Sequence, residues 1–133
     1  MSPFKHSLPV RFADVDMLGH VNNAVYFTYI EECRTTFFRS LGYKNNDFQK
    51  ECPIILAHAE CGFKSPAFFG ENLDIQLRVG EIKNASFSFE YEIYEQKSKR
   101  LVAVAKTIQV TFNYAQMKVI PIPDTLRKKL LGY

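Results

Sequence analysis

The spacing of apolar side chains along the chain predicts two kinds of segment before residue 45. Near the N-terminus, apolar and polar residues alternate from Phe4 to Phe12, which is the period of a half-buried strand. Pro9 within this segment favours a position at the edge of a sheet, because proline cannot donate a hydrogen bond to a neighbouring strand. From about Asn23, apolar residues recur every three or four positions, which predicts a helix that ends near Gly42.

Four more strands are predicted after this helix, and a short helix follows them. The clearest strand is Ser86–Glu95, because its apolar side chains alternate regularly with serine and glutamate. The other three segments cover residues 54–64, 72–82 and 101–114, with turn residues between them. The closing sequence PDTLRKKLLGY begins with proline and aspartate and carries late lysines, which is typical of a capped helix.

This order of elements predicts an α+β fold, in which a five-stranded antiparallel sheet wraps around one long central helix. The helix also carries aromatic residues off its main apolar stripe, at Phe27, Tyr29 and Phe38. A helix that is apolar on most sides needs more cover than one sheet gives. We therefore expect a second copy of the chain to help cover it, in a homodimer or homotetramer.

Composition and charge limit the class of protein. The 133 residues suffice for one domain, which we take to span residues 1–133. A net charge of +3 without a basic block gives no support for nucleic-acid binding. The apolar runs are too short for a membrane span and the first residues lack the apolar core of a secretory signal, so we expect a cytoplasmic protein with no membrane partner. Three cysteines at wide spacing predict reduced thiols and no disulfide framework.

A polar segment, FADVDMLGHVNNAVYF, joins the first strand to the helix and carries a resemblance. Together with the order of elements, RFADVDMLGHVNNAVYFTYIEECRTTFF resembles the hotdog-fold acyl-CoA thioesterases of the 4-hydroxybenzoyl-CoA thioesterase type. SPAFFGENLDI resembles the family's entry into the third strand, except that Glu71 and Asn72 replace the more usual aspartate. The resemblance covers essentially the whole chain. It implies hydrolysis of a fatty or aromatic acyl-CoA to free acid and CoA, or of the same group carried on acyl carrier protein.

The resemblance also assigns the site residues. It makes Asp16 the catalytic carboxylate, as nucleophile or as general base. Amides at the start of a helix lack internal partners and would polarise the thioester carbonyl. The amide of Asn23 is the best candidate for this oxyanion donor, and those of Val21 and Asn22 come next. Residues expected to bind the substrate are Gly19, which would let the backbone turn tightly and approach the ligand, His20, Val21, Asn22 and Tyr26.

Several of these residues have structural alternatives. Aspartate and asparagine are favoured in turns and helix caps, so Asp16, Asn22 and Asn23 suit that role as well. His20 could pack in the turn, and an aromatic residue such as Tyr26 is often part of a core. Asp14 lies nearer the strand and lacks the family's spacing to Gly19, so we interpret it as structural.

Other chemistries find less support. His58 and Cys61 are three residues apart in a predicted strand and point to opposite faces, which argues against a Cys/His hydrolase. The histidines lack metal-ligand spacing, so we expect no metal and no cofactor beyond the CoA of the substrate. Glu31 and Glu32 are expected to form an ion-pairing face with Arg34. The alternative from another class is a non-catalytic hotdog module that binds acyl-CoA or acyl carrier protein, but such a module has no need for Asp16 at this position.

The acyl site and the CoA contacts are less determined by the sequence. Tyr26, Phe27, Phe63 and Phe68 would accept aliphatic or aromatic acyl groups equally well. Surface cations such as Lys64 and Arg78 are candidates for the CoA phosphates.

Overall fold

A computed structural model describes residues 2–45, 48 and 50–133, and its elements follow the predicted order. One short 3-10 helix, Phe12–Asp14, precedes the long helix. The helices and strands are β1 (Phe4–Pro9), α1 (Val25–Ser40), β2 (Ile54–Phe63), β3 (Asn72–Ile82), β4 (Ser86–Glu95), β5 (Leu101–Asn113), β6 (Lys118–Val119) and α2 (Asp124–Leu131).

The strands form one antiparallel sheet in the order β1-β3-β4-β5-β2, and the two-residue β6 pairs with β5. With α1 against this sheet, the predicted α+β hotdog architecture is confirmed, and Pro9 lies in an edge strand as expected. The predicted number of five strands is wrong, because the sheet has a sixth, short strand. The neighbours β2 and β3 along the chain do not pair, since β2 pairs with β5. The segment between them begins beside β5, where the Lys64 amide donates to the Val102 carbonyl at 2.8 Å, and ends next to β1, where the Val10 amide donates to the Glu71 carbonyl at 2.8 Å.

The core lies between one face of α1 and the inner face of the sheet. Phe37 packs edge-on against Phe89 with ring centroids 5.2 Å apart, and Tyr29 and Phe38 are buried within the same chain. The outward side of α1 is polar and exposed at Thr28, Glu31, Glu32, Thr35 and Arg39. The expectation that α1 is apolar on most sides is therefore wrong. Its off-stripe aromatics widen the buried face, and among the three only Phe27 remains 38% exposed.

The uncovered surface lies instead along β2, the far edge of the sheet. Residues 55–60 are all exposed. Among the described strands β2 pairs only with β5, so its other edge has no strand partner in this part of the chain. Ile55, Leu56 and Phe63 are 42%, 45% and 47% exposed. Among the described helices, none is both long enough and apolar enough to cross a membrane.

Candidate active site

The loop between β1 and α1 is anchored by the buried carboxylate of Asp14. One oxygen of Asp14 accepts hydrogen bonds from the Arg11 amide at 2.9 Å and from the Tyr29 hydroxyl at 2.8 Å, and the other accepts from the Arg11 guanidinium at 2.8 Å. Burial by itself would raise the pKa of Asp14, but the hydrogen bonds from Arg11 and Tyr29 outweigh it and hold that pKa below its usual value. Every strong interaction of this carboxylate is structural, which agrees with the interpretation of Asp14.

Asp16 lies two residues further on, in a turn that projects from the body. One oxygen of its carboxylate accepts a hydrogen bond from the Leu18 amide at 2.9 Å, and its backbone carbonyl accepts from the Gly19 amide at 2.9 Å. Gly19 has φ +88°, so the turn needs glycine for its backbone conformation. Beyond the Leu18 contact, the Asp16 carboxylate has no hydrogen-bond or ion-pair partner in the described part of the chain. The Asp16 side chain therefore stabilises the turn, as the structural alternative expected, and still has one carboxylate oxygen without a described partner.

A cleft of about 340 Å³ opens between the start of α1 and the end of β2. Four of the predicted site residues line it, together with the segment that follows β2: His20, Val21, Asn23, Tyr26, Phe63, Lys64, Ser65 and Pro66. Asp16, Gly19 and Asn22 are not among the lining residues. The structure thus brings part of the predicted site together in one chain. Asp16 is joined to this lining through its backbone, because its amide donates to the His20 carbonyl at 3.0 Å.

The backbone amides ahead of α1 differ in their hydrogen bonding. The Val21 amide donates to the Ala67 carbonyl at 2.8 Å and the Asn22 amide donates to the Asp14 carbonyl at 3.0 Å, so neither is available to an oxyanion, and the prediction of these two as donors is wrong. The Asn22 side chain accepts from the Ala24 amide at 2.9 Å and so shapes the turn. In the part of the chain that the structure describes, the Asn23 amide has no acceptor.

The helix begins at Val25, two residues later than predicted, and the residues just before it form a turn in which the Ala24 amide donates to the Asn22 side chain and the Val25 amide to the Asn22 carbonyl. Asn23 consequently lies in the turn before α1 and outside its first turn. The prediction was that the Asn23 amide is free because it lies in the first turn of the helix. It is instead an amide of the preceding turn, in which it has no described acceptor.

Aromatic side chains form the floor of the cleft. Tyr26 is 3% exposed and contacts Phe63 and Tyr29 at ring-centroid distances of 5.4 Å and 5.9 Å. Burial raises the pKa of the Tyr26 hydroxyl to about 12, so it is a neutral hydrogen-bonding group at physiological pH. Tyr26 is therefore both a core residue and a lining residue.

On the opposite wall of the cleft, the sequence had named Phe63 and Lys64 but missed the residue that holds the wall. Arg100 holds this wall: its guanidinium donates to the Ser65 hydroxyl at 3.2 Å, to the Pro66 carbonyl at 2.9 Å and to the Glu71 carboxylate at 3.0 Å. The variation at Glu71 thus has a role, since its carboxylate also accepts from the Phe68 amide at 2.8 Å. Only the turn composition of SPAFFGEN pointed to this segment, and nothing in the sequence linked it to Arg100.

The geometry of the described residues does not support a Cys/His hydrolase or a metal site. His58 bonds Glu60 at 3.0 Å, on the face of β2 opposite Cys61. Burial raises the pKa of the Cys33 and Cys52 thiols to about 12, which disfavours the thiolate. In residues 2–45, 48 and 50–133, no group of three or more metal-ligating side chains is clustered. Arg34 lies 3.9 Å from Glu31 as predicted, whereas Glu32 pairs with His6 at 2.6 Å instead.

Comparison with known proteins gives the family. Residues 10–130 match the thioesterase-like superfamily. A 1,4-dihydroxy-2-naphthoyl-CoA hydrolase of Microcystis aeruginosa is 32% identical over 126 residues, which cover 93% of this chain and 89% of that protein.

Two solved structures are also similar. The crystal structure of a 1,4-dihydroxy-2-naphthoyl-CoA thioesterase from Synechocystis has a TM-score of 0.89 at 24% identity, covering 96% of this chain and 95% of that one. A gentisyl-coenzyme A thioesterase has a TM-score of 0.83 at 26% identity, covering 95% and 98%. Together with the hotdog architecture, these matches confirm the resemblance: this chain belongs to the thioesterase-like superfamily and is a thioester hydrolase.

Proposed function

We propose that the protein hydrolyses an aromatic acyl-CoA to the free acid and CoA, with Asp16 as the catalytic carboxylate and the Asn23 amide as oxyanion donor. The proposal rests on one observation: the same loop contains a backbone amide without an acceptor and a carboxylate with one oxygen that has no described partner. Asn23 lines the cleft, and its backbone amide has no acceptor among the described residues. The Asp16 carboxylate, seven residues earlier, accepts a turn hydrogen bond on one oxygen and has no described partner on the other.

The chemistry follows from these two groups. As general base, Asp16 takes a proton from water while the hydroxide oxygen bonds to the thioester carbon. The carbonyl oxygen becomes an oxyanion that the Asn23 amide stabilises, and collapse of this intermediate breaks the carbon–sulfur bond and releases the CoA thiolate. As nucleophile, Asp16 attacks the carbon itself, expels the thiolate and leaves a mixed anhydride that water hydrolyses. Both routes balance with water alone, so we propose that no metal or other cofactor takes part.

Asp16 is not among the residues that line the cleft of its own chain. This position supports a dimer with its active site near the subunit boundary. The turn that carries Asp16 ends in Met17 and Leu18, whose side chains are 99% and 73% exposed. Apolar side chains of this size are costly to leave in water, and the uncovered edge of β2 lies beside the same cleft through Phe63. A second chain would cover both surfaces and close the site.

A light-scattering measurement tests the dimer. The expected result is a dimer or tetramer at micromolar concentration. A monomer at that concentration that still hydrolyses acyl-CoA contradicts the proposal.

The substrate class rests on the relatives and on the cleft. The Microcystis relative and the gentisyl-coenzyme A thioesterase are named for bicyclic and monocyclic aromatic acyl groups. Tyr26 and Phe63 offer flat apolar surfaces on which a ring can pack. Lys64 is exposed at the rim, where an ammonium group suits a CoA phosphate. We favour CoA over acyl carrier protein as the carrier on these grounds.

A panel of thioesters tests the function directly. Thiol release is followed with purified protein on benzoyl-, hydroxybenzoyl- and dihydroxynaphthoyl-CoA and on a series of fatty acyl-CoAs, with one aromatic acyl group also supplied on acyl carrier protein. The expected result is the highest kcat/KM on an aromatic acyl-CoA, with release abolished in Asp16→Asn purified in parallel. Binding of the aromatic acyl-CoA without thiol release would instead identify a non-catalytic binding module.

A further inference from the structure

A row of charged side chains crosses the outer face of the sheet, which is the face away from α1. Lys106 of β5 is paired with Glu60 of β2 on one side and with Glu90 of β4 on the other. Glu90 is in turn paired with Arg78 of β3. The charges across these strands are therefore negative, positive, negative and positive. We call Glu60, Lys106, Glu90 and Arg78 the charged row.

The charged row points to solvent. Phe89 and Tyr91, the neighbours of Glu90 in β4, are 0% and 1% exposed in the core. Because side chains alternate along a strand, Glu90 and the residues paired with it lie on the opposite face. All members of the row are exposed, and they line a depression of about 510 Å³ on this outer face.

Most of these charges have no ion-pair partner within the chain. Among the described residues, no carboxylate lies within ion-pair distance of Lys106 or Arg78, and no cation lies within that distance of Glu90. Glu60 pairs with His58 at 3.0 Å, along its own strand. The opposite charges of adjacent strands thus stay apart, and each remains available to a group outside the chain.

The order of charges is self-complementary under one two-fold axis. An axis parallel to the strands, placed between β4 and β5 and midway between two stacked sheets, reverses the row of a second copy. Glu60 of one chain then faces Arg78 of the other, and Lys106 of one faces Glu90 of the other. Every facing pair has opposite charges. Stacked sheets lie about 10 Å apart, a gap that extended glutamate, lysine and arginine side chains can bridge.

Other symmetric arrangements of the same face bring like charges together. An axis along the row places each charge against its own copy. An axis moved onto β4 or β5 places Glu90 against Glu90 or Lys106 against Lys106. Since facing like charges strongly disfavour a contact, the charged row specifies both the orientation and the register of the two sheets.

We infer that the outer face of the sheet binds the outer face of a second copy through the charged row, in a contact separate from the one that closes the active site. Together with the dimer of the proposed function, on which the number of chains rests, this contact gives a tetramer with two kinds of two-fold interface. A partner of strongly acidic or basic character is not favoured, because the alternating charges of the row form no patch of a single sign.

Charge reversal in the row tests the contact by light scattering and native mass spectrometry. Glu90→Lys and Lys106→Glu each introduce two facing pairs of like charge. Each is expected to raise the dissociation constant of the tetramer into dimers by about a hundredfold or more. Glu31→Lys is the matched control, because it makes the same charge change on the exposed side of α1 and should leave the tetramer intact. Row variants that stay tetrameric overturn the inference, and so does loss of the tetramer in the control alone.

Mixing the two row variants separates a contact between chains from an ion pair within one chain. When a Glu90→Lys chain faces a Lys106→Glu chain, every facing pair again has opposite charges. Within each chain, by contrast, positions 90 and 106 still carry like charges. The mixture is therefore expected to form tetramers that neither variant forms alone. If both variants are folded by circular dichroism and their mixture forms no tetramer, the row is only a solvated face and the inference is overturned.

Salt provides a test on the wild-type protein that needs no variant to fold. Raising the salt concentration from about 0.1 M to about 1 M shortens the Debye length from about 10 Å to about 3 Å, so the tetramer is expected to dissociate into dimers. A tetramer that persists unchanged in the higher salt overturns a contact held by the charged row.

The number of chains separates failure of this inference from failure of the proposed function. A wild-type dimer that the row variants convert into monomers supports the contact between outer faces and contradicts the dimer proposed for the active site. A wild-type dimer that the row variants leave intact keeps the dimer of the active site and overturns the contact between outer faces. A monomeric wild-type protein overturns both.

Discussion

The loop between β1 and α1 contains two aspartates in opposite situations. Asp14 is 2% exposed, and its carboxylate receives hydrogen bonds from Arg11 and Tyr29. Asp16 is only partly buried, and among the described residues its carboxylate accepts a single hydrogen bond, from the Leu18 amide of its own turn. The half of the loop around Asp14 is tied to the core, and the half from Asp16 to Gly19 projects from it.

If Asp16 is the catalytic carboxylate, as proposed, the difference explains how the fold positions it without occupying its oxygens. A carboxylate whose oxygens are filled by hydrogen bonds is a weak base and a weak nucleophile, because each bond stabilises the anion. Asp14 accepts these bonds and thereby fixes the loop backbone: the Asn22 amide donates to the Asp14 carbonyl. Asp16 is positioned by this fixed backbone and needs few bonds of its own, which leaves its carboxylate available for chemistry.

The largest expected effect comes from removing the carboxylate of Asp16, in the projecting half of the loop. Asp16→Asn keeps the size and the turn-forming ability of the residue but removes the base or nucleophile. Turnover is expected to fall by about a hundredfold or more, with circular dichroism and thermal unfolding unchanged. The control is Asp14→Asn assayed at a temperature where it is folded, which should lose far less turnover. Equal losses in the two variants would mean that the loop as a whole, and not Asp16, carries the chemistry.

The second expected effect concerns the amide that completes the site. Asn23→Pro removes the N–H that has no acceptor in the described chain, and the helix itself begins only at Val25. Turnover is expected to fall by about a hundredfold with a smaller change in KM, because an oxyanion donor acts mainly in the transition state.

Asn23→Ala is the matched control, since it keeps the amide and removes only the side chain. An alanine variant as damaged as the proline variant would assign the role to the side chain. A folded proline variant with full activity would place the oxyanion elsewhere.

The sequence predicted β3 and β4 to the residue and the other long elements to within a few, because their apolar periods are regular and their ends carry turn residues. It did not predict the place of β2, because the alternation in a strand does not tell which neighbour it pairs with. In the site, the family spacing points to Asp16 as the catalytic carboxylate, which stays a prediction, whereas the hydrogen bond of the Val21 amide depends on Ala67, more than 40 residues away in the chain. Such long-range partners leave no local pattern, and Arg100 was missed for the same reason.

A third prediction concerns the stability that the anchored half supplies. Asp14→Asn removes the charge from a buried network, so the free energy of unfolding is expected to fall by about 1–3 kcal/mol at neutral pH, measured with urea. Because the pKa of Asp14 is held below its usual 3.8 in the fold, its contribution is present above that pH and is lost as the pH falls through the lower folded value. The gap between wild type and variant should therefore narrow below about pH 4. A gap that stays constant into strong acid would mean that the charge of Asp14 is not what stabilises the loop.

The smallest expected effect concerns the cleft wall that Arg100 holds, which lies opposite the half of the loop anchored by Asp14. Arg100 joins Ser65, Pro66 and Glu71 across the cleft, and the Ala67 carbonyl in this wall accepts the Val21 amide. The Arg100–Glu71 ion pair is partly exposed, so Arg100→Gln is expected to cost about 1 kcal/mol or less in stability. Since the wall positions substrate and does not react with it, KM is expected to rise a few-fold while kcat stays within about twofold. Arg127→Gln is the control, because the partners of the Arg127 guanidinium among the described residues are the carbonyls of Lys83 and Asn84, which do not line the cleft. A fall in kcat as large as that of Asp16→Asn would show that the wall holds a reacting group. The reactive part of the site would then extend beyond the loop to this wall.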